Sequence, residues 1–163
     1  MKRIFTLLTL WAALSLTVRA EHFDFFGVVM DGPHEAFIQE LAKENILPST
    51  DTTENTPYSM FFDADFNGQP AMIEVCWTPV TDNVYQVNLG FDVSEAGPQE
   101  DISNAAAFIR LNYNVTDYHE AEGLQFYTIG DYGIIATGVD NGLFVTCFMD
   151  IENLNKLDDE EGE

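Results

Sequence analysis

Residues 58–77, YSMFFDADFNGQPAMIEVCW, carry two alternating segments on either side of one dipeptide. In the first, Met60, Phe62, Ala64 and Phe66 alternate with Ser59, Asp63 and Asp65, the period of two that marks a half-buried strand. Asn67-Gly68 follows, a pair that accepts the positive φ values a two-residue hairpin turn demands. The chain then returns through 71–77, with Ile73, Val75 and Trp77 on one face and Glu74 and Cys76 on the other. The expectation is an antiparallel hairpin with one face toward a core and one toward water.

Working outward, residues 84–91 repeat the alternation, with Tyr85, Val87, Leu89 and Phe91 opposite Gln86 and Asn88. On the N-terminal side, 48–57 is rich in Thr, Ser, Asn and Asp and reads as loop. Before it, Phe37, Ile38, Leu41 and Ala42 recur at helical spacing across 33–45, with Pro33 at a plausible first helical position and Pro48 beyond the end. The apolar run 23–30 reads as a short strand leading into that helix. A second helix is expected over 101–111, where Ile102, Ala105, Ala106, Phe108 and Ile109 share a stripe. Three strands follow at 124–129, 133–139 and 143–151, the last two joined by a turn at Asp140-Asn141-Gly142. The fold class is therefore α+β, an antiparallel sheet with two helices on one face, built from a helix-then-strands unit used twice.

The same hairpin segment also fits a calcium-loop pattern, D-x-[DN]-x-[DN]-G-x5-E, with Asp63, Asp65, Asn67, Gly68 and Glu74 in register. In such a loop Asp63, Asp65 and Asn67 supply oxygens, Gln69 its carbonyl and Glu74 a bidentate carboxylate. A calcium loop needs a helix on each side, whereas both flanks here alternate like strands and Pro70 interrupts the loop. The hairpin accounts for the same residues, and weak calcium binding stands as the second reading.

Residues 1–20 hold half of the six basic side chains and none of the 28 acids. Lys2 and Arg3 precede an apolar stretch over 4–18, and Val18-Arg19-Ala20 matches a signal-peptidase site, so an export leader cleaved after Ala20 is expected. No cysteine stands near that cut to take a lipid, and no later apolar run approaches the roughly 18 residues of a membrane helix. The expected product is periplasmic or secreted, with no membrane insertion, comprising one α+β domain over 21–157 and a disordered acidic tail over 158–163. Its three remaining cations, Lys43, Arg110 and Lys156, face all 28 acids, a formal charge of −25. That field opposes binding to nucleic acid and to anionic lipid, and favours cationic proteins or weakly held divalent cations as partners.

The residues needed for catalysis do not assemble into a known pattern. Ser49, Ser59, Ser94 and Ser103 lie in neither G-x-S-x-G nor S-x-x-K. His22, His34 and His119 are scattered, without H-E-x-x-H spacing, and are expected to be solvated. Cys76-Trp77 lacks the flanking glycines of a papain-type nucleophile. A carboxylate-pair hydrolase is the least favoured reading, because sequence does not give the separation of two acids across a cleft. No catalytic residue, metal or cofactor is assigned. A Cys76–Cys147 disulfide would close a loop worth about 4 kcal/mol, but alternation places Cys147 with Leu143, Val145 and Met149 on an apolar face and Cys76 on the wet one. That pairing is left open.

Several local strings carry a resemblance: Phe26-Gly27-Val28-Val29-Met30-Asp31-Gly32 before Phe37-Ile38-Gln39-Glu40-Leu41, the alternation at 84–91, the helix ending near Tyr113, and 143–150 followed by 153–156. Together they resemble a family of small exported proteins of uncharacterised function from gut-type Gram-negative bacteria. Members of that family resemble the β-lactamase-inhibitor-protein fold, in which a helix-plus-antiparallel-sheet unit occurs in tandem. This chain departs from the pattern in its Ala-rich second helix and in Pro33, where Thr or Ser usually follows Asp-Gly. The resemblance implies the tandem fold and transfers no functional residue. The functional expectation is an exported, non-enzymatic binding or inhibitory module acting through a sheet surface on another exported or envelope protein. Phe61, Trp77, Tyr127 and Phe148 are the aromatics considered for that surface.

Overall fold

A computed structural model describes residues 22–66 and 69–162. The leader and the Asn67-Gly68 turn lie outside the described residues. Among the described residues ten strands and three helices follow one another: β1 (Asp24–Phe25), β2 (Val28–Val29), α1 (His34–Lys43), β3 (Leu47–Pro48), β4 (Ser59–Phe66), β5 (Gln69–Trp77), β6 (Val84–Asp92), α2 (Pro98–Asn112), β7 (Val115–Ala121), β8 (Leu124–Ile129), β9 (Gly133–Asp140), β10 (Leu143–Asp150) and α3 (Ile151–Glu161). β1 and β2 form a small two-stranded sheet. The others form one eight-stranded sheet in the order β3-β4-β5-β6-β10-β9-β8-β7, with every pair antiparallel. Each half is thus a helix followed by a four-stranded meander, and the halves join through their last strands, β6 and β10. The α+β class and the repeated helix-then-strands unit are as expected from the sequence.

The register explains which residues form the core. Pairing sets Phe62 opposite Ile73, Val75 opposite Val87, Val87 opposite Phe148, Phe148 opposite Ile135 and Ile135 opposite Tyr127. Val75, Val87, Phe148, Ile135 and Tyr127 form one row across the sheet, Phe62 and Ile73 lie in the next row on the same side, and all seven are at most 1 % exposed. Phe37 and Leu41 of α1 and Ile109 of α2 pack onto the same side, joined by Phe23, Phe25 and Met30. Cutting any of the large members to alanine costs about 2–5 kcal/mol.

Four elements differ from the sequence expectation. The run 23–30 is a tight hairpin, β1–β2, whose tip residues Phe26 and Gly27 have φ of 49° and 86°. Strand β7 was unforeseen; it forms a hairpin with β8 through Glu122 and Gly123, also at positive φ. In β10 the core side is Phe144, Thr146, Phe148 and Asp150, so Val145, Cys147 and Met149 face away from the helices. This inverts the expected facing, because the strand is apolar on both sides and its alternation is ambiguous.

The fourth difference is a third helix on the core side. Asp150 caps α3 by accepting the Asn153 N–H at 2.9 Å, and the helix runs to Glu161, so the acidic stretch expected as a disordered tail begins inside it. Two contacts hold it. The buried Asn153 amide donates to the carbonyls of Met30 (2.7 Å) and Val84 (2.9 Å). Near the other end, Glu160 accepts the Val80 and Thr81 N–H groups at 2.8 and 2.9 Å.

Candidate functional site

The three helices and the β1–β2 hairpin leave the opposite side of the sheet without a covering element among the described residues. By the same register, that side presents Phe61 and Asp63 from β4, Met72, Glu74 and Cys76 from β5, and Gln86 and Asn88 from β6. It continues through Val145, Cys147 and Met149 of β10, Ile134 and Ala136 of β9, Phe126 of β8 and His119 of β7. The face divides into two halves. The β8–β9–β10 half is apolar; Phe126 and Cys147 flank Ala136 from either side and leave it only 7 % exposed. The β4–β5 half is acidic.

A line of hydrogen bonds marks the boundary. Gln86 Nε2 donates to Asn88 Oδ1 at 2.8 Å, and Asn88 Nδ2 donates to Glu74 Oε2 at 2.9 Å. This fixes the Glu74 carboxylate against the middle of the sheet. No strand of either half contains Lys or Arg; Lys43, Arg110 and Lys156 all sit on helices, and Arg110 lies over the Tyr118 and Tyr127 rings on the helix side. The open face is therefore apolar and acidic with no fixed cation from Lys or Arg.

Both cysteines lie on this face, a correction to the opposite-side expectation that follows from the facing of β10. Both thiols are free. Cys147 sits opposite Asn88, which sits opposite Glu74, so β6 separates the two cysteine strands. Two strand spacings of about 4.8 Å already exceed the roughly 7 Å that a disulfide spans between Cα atoms. Burial, followed by the charge of Glu74, pushes the Cys76 thiol up to about 12. The same two causes raise Cys147.

Of the residues in the calcium pattern, Asp63 and Asp65 lie on β4 and Glu74 on β5, while Asn67 lies outside the described residues. The flanks are paired strands, and Glu74 lies opposite Phe61 with Asp63 opposite Met72, two positions along. Among the described residues no group of three or more His, Cys, Asp or Glu is placed to hold a metal ion. Of the aromatics considered for a surface, Phe61 alone is on the open face; Trp77, Tyr127 and Phe148 are core residues at 7, 0 and 1 % exposure. The aromatic that sequence reasoning missed is Phe126, on which His119 stacks at 4.9 Å and 6°.

Two histidines expected in solvent are instead structural. His34 stacks on Trp77 at 4.0 Å and 7°, and its Nδ1 lies 2.6 Å from Asp82 Oδ1. His22 Nδ1 lies 3.2 Å from Oδ2 of the fully buried Asp150, which also accepts the Phe23 N–H at 2.6 Å. These contacts tie the first described residues to the last strand.

On the helix side, a cavity of about 360 Å³ opens between α2 and the β6–β10 seam. Phe26, Phe91, Phe108 and Phe148 line it, with Gln69, Asp101, Asn104 and Thr146 as polar members. Phe26, at the hairpin tip, contacts Phe108 and Phe148 with ring centroids 5.6 and 5.8 Å away. Comparisons with protein-family models, with curated proteins and with solved structures return no match to this chain.

Proposed function

We propose that this chain is an exported, non-enzymatic binding or inhibitory module that docks a basic protein of the cell envelope or medium on its open sheet face. The observation that carries this reading is the two-part face, an apolar half beside an acidic half with no Lys or Arg on any strand. Seven long strands at about 4.8 Å spacing and about seven residues of 3.3 Å each give a projected area of about 650 Å². That is close to the roughly 800 Å² each partner contributes to a standard protein interface. Apolar area supplies affinity at the centre, and the acidic half selects a cationic partner and speeds encounter. The basic leader supports export, and the tandem helix-and-sheet layout agrees with the resemblance to the β-lactamase-inhibitor-protein fold drawn from the sequence.

The test is capture from envelope and medium fractions with the wild-type chain and two variants, Val145→Glu in the apolar half and Asp63→Lys with Glu74→Lys in the acidic half. A basic protein held by the wild type, released by salt and lost in both variants supports the assignment. Equal capture by all three chains removes the face from consideration.

A further inference from the structure

The cavity between α2 and the sheet lies on the opposite side from the docking face and has a different chemistry. Its walls are mostly aromatic, with Gln69 and Asn104 at its polar margin: Phe91 packs on Phe144 at 4.9 Å, and Phe26 closes one side against Phe108 and Phe148. One carboxylate, Asp101, lines it and is 8 % exposed. Asp101 accepts one hydrogen bond, from the Ser94 N–H at 2.8 Å, and forms no ion pair among the described residues. The N-terminal end of α2 offsets part of its charge, and among the described residues no Lys or Arg lines the cavity.

An apolar ammonium compound satisfies each of these features. Its charge meets Asp101, its carbon body replaces water against the phenylalanines, and the ring faces attract the same cation. The volume falls within the roughly 300–1,000 Å³ of small-molecule sites. Phe26 holds a φ of 49°, uncommon for an aromatic residue, and this strained position puts its ring at the cavity. We propose that this cavity binds an aryl- or alkyl-ammonium ligand, with the ammonium at Asp101 and the apolar body among Phe26, Phe91, Phe108 and Phe148.

The test titrates the purified protein by calorimetry, in salt high enough to screen its net charge, with 1-naphthylmethylammonium, neutral 1-naphthylmethanol and anionic 1-naphthylacetate. Saturable one-site binding of the ammonium, at least about tenfold tighter than the alcohol, is expected, with no binding of the acetate. Asp101→Asn should lower ammonium affinity to that of the alcohol and leave the alcohol unchanged. Ala105→Trp, which fills the cavity, should abolish both. Ammonium binding that is equal in the wild type and both variants would show attraction to the acidic surface and overturn the site, as would no ammonium binding at millimolar concentration. If Asp101→Asn fails to fold, the ammonium-to-alcohol ratio in the wild type and the loss in Ala105→Trp decide the question.

Discussion

Replacing Asn153 with alanine tests whether the third helix belongs to the fold or merely rests on it. The side chain is fully buried, and its amide is shared between two carbonyls from distant parts of the chain, Met30 and Val84. Each hydrogen bond is worth about 1 kcal/mol, and a buried acceptor left without its donor costs about 1–3 kcal/mol. Two such carbonyls give a loss of about 2–6 kcal/mol, of which alanine's better helix propensity returns about 0.7 kcal/mol. The expected loss of roughly 1–5 kcal/mol lowers the urea midpoint by about 0.5–2.5 M at a slope near 2 kcal/mol per M. Urea unfolding followed by fluorescence and by far-ultraviolet circular dichroism measures it. Asn153→Asp keeps the shape but turns the donor into an acceptor aimed at the same carbonyls, so it should destabilise at least as much. A midpoint shift below about 0.3 M in the alanine variant, or a milder effect in the aspartate variant, would refute the reasoning.

Four further outcomes are expected. Gly133→Ala would place a methyl group 2.5 Å from the fully buried Phe23 ring, so thermal unfolding should show a loss of about 1–3 kcal/mol; Gly138→Ala meets the movable end of Leu124 at 2.4 Å and should cost less. Both thiols should resist iodoacetamide at pH 8 in the folded protein and react quickly in urea, since burial and Glu74 raise Cys76 to about 12 and raise Cys147 as well; rapid labelling of the native protein would contradict this. Although desolvation raises Glu160, its hydrogen bonds from Thr81 and Val80 win and hold it below the ordinary glutamate value of 4.5. The folded form is therefore favoured above that value, and the contribution fades as pH falls through the lowered one; the Val80 and Thr81 amide shifts should titrate below pH 4.5, and titration at or above it would be inconsistent with the contact. Calcium calorimetry is expected to show no heat at millimolar metal, because extended strands cannot wrap Asp63, Asp65 and Glu74 around one ion; heat abolished by Asp63→Ala would reverse that expectation.

Much of the sheet was legible because several strands bury one side only. Phe62, Ile73, Val87 and Leu89 alternate with polar neighbours, and their facing was read correctly from period alone. β10 defeated the same approach because it lies inside the sheet and both of its sides are apolar, so hydrophobicity could not choose between Phe144 with Phe148 and Val145 with Met149. That single inversion displaced Cys147 and hid the apolar half of the open face. β7 failed for the opposite reason: it is an edge strand exposed along most of its length, and VTDYHEA contains little to alternate. α3 did leave a signal, Asp150 at the cap with Ile151, Leu154 and Leu157 spaced along one stripe and Glu152 four residues before Lys156. The acids that follow it give the segment the composition of a disordered tail. The cavity could not be read from sequence, since Asp101 and Phe26 meet only through the tertiary fold.

The strand order also says something about how the chain is made. The two meanders meet at β6 and β10, so the first helix-and-sheet unit is translated, lacking only what β10 and α3 add to it, long before the second. Until β10 arrives as the last strand, β6 is an unpaired edge carrying Val84, Val87 and Leu89, the kind of strand that pairs with any complementary neighbour. The seam is thus the latest and most long-range contact in the sheet, the slowest type to form. Because β6 and β10 hold equivalent places in the two units, a first unit stranded without its second would find its nearest substitute in another copy of itself, and domain-swapped pairs are the misassembly this architecture invites.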